Sequence, residues 1–221
     1  MASHLDLEEQ EQLAELKHFW NKYGNLISWV AIVVFGAIAA WNGWNWWQRH
    51  QAAQASALHA ELERAAQAGE LDRVQRALAD LRDQFGGTTY AAQGGLLAAQ
   101  ALSQGGKPQE AQAALRGVAD KASDEGYQAV ARLRLAGLLA DGKKYDEALA
   151  LLGGKLPVEF EGLAADRRGD ILLLQGKKPE ALAEFQKALK GLDARADLRR
   201  LVEVKVAALG GDPAASAAAK P

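Results

Sequence analysis

The side chains to weigh first for chemistry are the four histidines, His4, His18, His50 and His59. Imidazoles carry protons near neutral pH or hold metals. These four fall within the first sixty residues, and no two share a helix face at ligand spacing. They read as solvated or interfacial. Cysteine is absent, which removes thiolate nucleophiles, disulfides and sulfur-bound metals. No serine sits in a nucleophile elbow. Gly86-Gly87 and Gly94-Gly95 do not read as phosphate loops, because neither follows a strand or leads into Gly-Lys-Ser/Thr. The expectation is a protein without enzyme activity, metal or cofactor.

Charge is the remaining source of recognition. A formal net charge of −2 gives no pull toward nucleic acid. Two clusters stand out, Arg132 with Arg134, and Asp166, Arg167, Arg168 and Asp170. Both fall on segments that read as the first helices of paired units, the helices that line the concave face of such a stack. Arg134, Arg168 and Asp170 are therefore the candidate partner contacts. Arg134 and Asp170 have a structural alternative, as ion pairs between repeats or as plain solvent-facing charge.

The elements that must position these residues repeat along the chain. Gly106-Lys107-Pro108, Gly142-Lys143-Lys144 and Gly176-Lys177-Lys178 open three similar segments. Gly69-Glu70-Leu71 is a weaker fourth. Their glycines recur at a nearly constant period, close to the one that belongs to tetratricopeptide-type helix-turn-helix units. In each, glycine accepts a left-handed conformation at a helix end, lysine complements the dipole, and Pro or Asp opens the next helix. First helices are expected over Tyr90 to Ser103, Tyr127 to Ala140 and Leu163 to Gln175. Asp193 to Leu209 reads as a capping helix. The fold class is all-α, a TPR-like helical-repeat solenoid, over 48–209.

Ahead of the repeats lies a different chemistry. Between Lys22 and Arg49 there is no charged side chain over 26 positions. A helix from Leu26 to Trp47 would run about 33 Å, enough to cross a bilayer core. All six tryptophans lie between positions 20 and 47, where amphipathic rings favour the headgroup level. One transmembrane helix is thus expected over 25–47, in contact with the lipid bilayer, after a short tail at 1–24. The run Gln48 to Ala68 either continues that helix or forms the first helix of the weakest repeat. Lys17 and Lys22 balance Arg49 and Arg64, so flanking charge leaves the orientation open. Gly36, Ala40 and Gly43 share a face that would admit another helix, and Trp41, Trp44 and Trp47 add a contact surface beside it. Residues 210–221, Gly- and Ala-rich, read as a disordered tail.

Several of these residues also carry a family resemblance. Ser123-Asp124-Glu125, Ala129-Val130, Leu133-Arg134-Leu135-Ala136, Asp166, Arg168-Gly169-Asp170 and Leu172-Leu173 resemble the YfgM family of inner-membrane proteins. The tryptophan cluster and Thr89-Tyr90 extend the likeness from about Phe19 to Leu209. The resemblance implies an ancillary subunit of the Sec translocon in the bacterial inner membrane, with a cytoplasmic N-terminus and a periplasmic repeat domain. It implies as partners the SecYEG translocon, the membrane-anchored chaperone PpiD, and unfolded proteins emerging from the channel. The acidic N-terminal tail and the tail after Gly210 depart from the family pattern. A rival expectation is a membrane-anchored TPR scaffold for cell-envelope assembly, such as pilus or division machinery.

Overall fold

The structure is a computed structural model that describes residues 7–193 and 197–213. Among the described residues there are nine α-helices and no strand. They are α1 (Leu7–Gln67), α2 (Leu71–Phe85), α3 (Thr89–Gln104), α4 (Pro108–Lys121), α5 (Glu125–Asp141), α6 (Tyr145–Leu152), α7 (Val158–Leu174), α8 (Lys178–Gly191) and α9 (Asp197–Ala208). The chain divides into two compact units, residues 1–50 and 51–221.

The first unit is the greater part of α1. This helix is long and apolar enough to cross a membrane. Only 6% of its apolar window is buried, unlike the core helix of a globular domain. Trp41, Trp44 and Trp47 are exposed, and no atom lies within 4 Å of a Cβ built on Gly36 or Gly43. The rings of Trp44 and Trp47 pack at 5.3 Å, and Trp46 stacks on His50 at 5.5 Å. His4 falls outside the described residues, and His18 lies on the exposed helix.

The second unit is built of helix pairs. The last turns of α1 supply Ala55, Leu62 and Ala65, which pack against Val74 of α2 and residues of α3. Thus 51–67, within a helix that begins at Leu7, serve as the first helix of the first repeat. The pairs α3–α4, α5–α6 and α7–α8 follow, and α9 packs on α8. Thr88 caps α3 by accepting from the Ala91 amide, and Asp124 caps α5 by accepting from Gly126 and Tyr127. Pro108 opens α4 at its first position, and Pro157 caps α7. One continuous core of small and aliphatic side chains runs from Leu62 to Ile171, and a second holds Phe185, Leu189, Val202 and Val206.

The turns between paired helices share one hydrogen-bond pattern. In α3–α4, Gly106 N–H donates to the Ser103 carbonyl and Lys107 N–H to that of Leu102. The same pair of bonds forms at Gly69 with Glu70, Lys143 with Lys144, Gly176 with Lys177 and Gly210 with Gly211. These are Schellman closures, each with a left-handed residue after the helix. That residue is Gly69 (φ 71°), Gly106 (75°), Lys143 (60°), Gly176 (79°) and Gly210 (79°). The middle turn therefore differs from the expectation, because Gly142 keeps a negative φ of −79° and Lys143 takes the strained place. Aligned on this geometry, the turns fall at positions 69, 106, 143, 176 and 210, a near-regular series.

Gly94 and Gly95 are buried inside α3, against Leu81 and Val118, which removes them from loop chemistry. The capping helix begins at Asp197, with residues 194–196 outside the described set. Gly210 and Gly211 close α9 by the turn above, whereas 214–221 of the expected disordered tail lie outside the described residues.

Candidate functional site

First helices α3, α5 and α7 line a groove of about 420 Å³. Its walls are Gln100, Ser103 and Gln104 from α3, Arg134, Gly137, Leu138 and Asp141 from α5, and Arg167 from α7. Arg134 and Arg167 occupy equivalent positions in successive repeats, each nine residues before the left-handed residue of its turn, Lys143 or Gly176, while Gln100 lines the groove from α3. Successive first helices thus set the two arginines side by side. Half-buried Val130 and Leu163 lie one turn before the two arginines, and half-buried Leu97 holds the arginines' place on α3. Gln93 Nε2 donates to the Tyr127 hydroxyl at 2.8 Å, joining α3 to α5.

The two guanidinium groups of the groove are uncommitted. Arg134 and Arg167 are exposed, and neither makes a hydrogen bond or an ion pair among the described residues. Arg167 exerts only a minor Coulombic pull on Asp166, whose contact is with another cation. A Cβ built on Gly137 would sit 3.8 Å from Arg167 Nη1, so Arg167 reaches across from α7 to a bare stretch of α5. The groove's one acidic wall residue is Asp141. Asp170 lies one turn along α7 from Arg167, but its charge is already met.

The other candidate residues hold the repeats together. Arg168 Nε donates to Glu184 Oε2 at 2.7 Å and Nη1 to the Leu152 carbonyl at 2.9 Å, tying α7 to α8 and to the end of α6. Lys187 pairs with the same Glu184. Burial works to raise the Glu184 pKa, but the hydrogen bonds from Lys187 and Arg168 outweigh it and hold the carboxyl below its ordinary value. Asp170 and Asp166 both accept from Lys205 Nζ, at 2.7 and 2.8 Å, and this ammonium lies 5.0 Å from the centre of the Phe185 ring. Burial pushes Asp166 above the usual carboxylate range, and the Lys205 contact opposes the shift. Arg132 donates to the Lys155 carbonyl. Of the three named repeat residues, then, only Arg134 faces a groove with its charge unspent.

Arg167 belongs to the site as well, and the signal for it was its place in the last repeat, equivalent to that of Arg134 in the middle one. A larger depression of about 960 Å³ lies beside α7 and α8, but its lining mixes Lys155, Lys187 and Lys190 with Glu159, Glu161 and Glu184, and Lys187 is paired with Glu184. No three imidazole or carboxylate groups gather to hold a metal among the described residues.

A search of the curated proteins finds no match to the chain. A family model described as tetratricopeptide repeat-like domain matches residues 17–211, a stretch that takes in much of α1 and all of the repeats. Paired helices, Schellman turns at repeat spacing and a groove built of first helices agree with that match, and the chain belongs to the tetratricopeptide repeat-like domain family.

Proposed function

We propose that this chain is a non-enzymatic ancillary subunit of the Sec translocon, a membrane-anchored adaptor that holds a PpiD-like chaperone where translocated proteins emerge. The observation that carries the reading is the union of an exposed, apolar N-terminal helix with a TPR-like domain whose groove keeps two arginines unpaired. A TPR-like domain is a protein-interaction scaffold, and uncommitted groove charge is what such a scaffold offers a partner. The resemblance of Ser123 to Ala136 and Asp166 to Leu173 to the YfgM family supports the choice of partner. On this reading the N-terminus is cytoplasmic, α1 crosses the inner membrane once, and the repeats occupy the periplasm. Trp41, Trp44 and Trp47, with the face of Gly36, Ala40 and Gly43, then meet other membrane helices.

The test is purification of the full chain from membranes in mild detergent, with photocrosslinks placed at Trp44 and Gln104. Crosslinks to SecYEG from the first position and to a membrane-anchored chaperone from the second are expected. Recovery of neither partner, or no loss of either when 69–209 is deleted, would reject the reading.

A further inference from the structure

We propose that the cavity at the turn between α2 and α3 binds the phosphate of an anionic phospholipid headgroup, held by Arg82 and Lys121. The site lies apart from the groove of the first helices, and its assignment rests on the reading of α1 as a membrane crossing.

The cavity, of about 410 Å³, lies between α2, α4 and the turn that leads into α3. Arg82 of α2 and Lys121 of α4 supply its cations. Arg82 is half-buried, yet neither residue makes a hydrogen bond or an ion pair among the described residues. Asp83 shares the wall and pairs with neither. A cation in the last turn of a helix answers the dipole, which accounts for a basic residue at either place. It does not account for Gly117. A Cβ built there would fall 2.5 Å from Arg82 Nη2 and 2.6 Å from Cζ, so the guanidinium lies against bare backbone of α4. Lys121 follows about one helical turn later in the same wall.

The turn adds donors of its own. Thr88 N–H closes on the Phe85 carbonyl at 2.9 Å, which leaves Gly86 and Gly87 in the two central places. A turn of this kind does not use the amides of its central residues, and both glycines line the cavity. A planar guanidinium takes phosphate oxygens through two parallel hydrogen bonds, and an ammonium adds a point charge. Donors drawn from α2, α4 and the turn suit a tetrahedral phosphate better than a planar carboxylate.

Position selects the source of the phosphate. Ala55 packs with Phe85 and Ala91, so the chain enters the repeat unit beside this turn. Ala55 follows Trp47 by eight positions. A bilayer that holds the tryptophans is therefore only a short tether from the cavity's end of the unit. Unpaired cations kept near a membrane surface are drawn to its anionic lipids. A soluble anion gains nothing from that place.

The probe is dihexanoyl phosphatidylglycerol, titrated by calorimetry into the full chain in neutral detergent. Dihexanoyl phosphatidylcholine, whose choline cancels the phosphate charge, and inorganic phosphate are titrated in parallel. Saturable binding is expected for the first alone. Arg82→Gln and Lys121→Gln should each weaken it about tenfold, the loss of one charge-assisted contact. Arg200→Gln removes an exposed charge from α9 and should leave it unchanged. Gly117→Ala displaces the guanidinium while keeping every charge. It should weaken binding while the thermal midpoint holds or rises, since alanine favours a helix over glycine.

Equal binding of the two lipids, or undiminished binding by the double Arg82→Gln, Lys121→Gln variant, would overturn the proposal. So would binding of inorganic phosphate alone, which would assign the cavity to a soluble anion. Displacement of the lipid by an acidic peptide would overturn it too, in favour of a protein partner. Loss of lipid selectivity in a chain that still crosslinks to SecYEG rejects this inference alone. Lipid binding that depends on Arg82 and Lys121, without any translocon crosslink, supports the inference and rejects the choice of partners.

Discussion

Lys143 holds the left-handed place that glycine fills in the four other turns of its kind. For a residue with a Cβ that conformation costs about 1–2 kcal/mol, partly offset by glycine's greater freedom in the unfolded chain. Lys143→Gly should therefore stabilise the repeat domain by about 1 kcal/mol, read as a rise in thermal midpoint. Gly169 lies at the opposite extreme. A Cβ there would fall 2.5 Å from Phe185, in the centre of the second core. Gly169→Ala should cost about 1–3 kcal/mol in a urea melt, as overpacked cores do. Glu184 sets a pH dependence. Its folded pKa is lowered, so the stability it contributes is present above the ordinary glutamate value of 4.5 and lost as pH falls through the folded value. The gap in thermal midpoint between the parent and Glu184→Gln should close on acidification below about pH 4.5. Asp166, with a raised pKa, acts in the other direction, its contribution being lost as pH rises. At this scale the residues were legible only in part. Arg134 was found by charge and position, but Arg168 and Asp170 carry the same kinds of charge and serve the packing. Only the fold tells a spent charge from a free one.

Among the elements, α9 joins the stack by the most particular contact. Val202 and Val206 are fully buried, and Lys205 is buried with them except for an exposure of 20%. Removing only the ammonium leaves Asp166, itself 11% exposed, without its cation. Lys205→Met should cost about 3 kcal/mol, whereas Lys205→Met with Asp166→Leu should recover most of that loss. A double-mutant cycle by urea denaturation checks both values. The helices themselves were largely readable, because Leu and Ala recur at helical spacing between glycine stops. Turn register was less so. Gly142 resembles Gly106 and Gly176 in sequence, yet the helix before it runs one residue further and passes the turn to Lys143. Hydrogen bonding, which sequence does not display, decides that count.

In the whole repeat unit, contacts pass mainly between helices one or two places apart along the chain. Stability in such a stack is a sum over neighbours, and end repeats fray first. Amide hydrogen exchange should show the slowest amides in α4 and α5 and the fastest in α9, and uniform protection throughout would contradict this. The overall class was clear in the sequence, since a recurring Gly-Lys turn and a charge-free run of 26 positions admit few architectures. Partners were less legible, because an interaction surface has no fixed motif and is defined by what the fold leaves unpaired. The short reach of the contacts also bears on how the protein is made. Gln93 bonds to Tyr127 in the next repeat, and Lys205 of α9 reaches back only as far as Asp166 on α7. A chain delivered N-terminus first through a narrow exit can close each repeat as soon as the following helix pair is out. Its synthesis and its folding can advance together, with no early strand held open for a late partner.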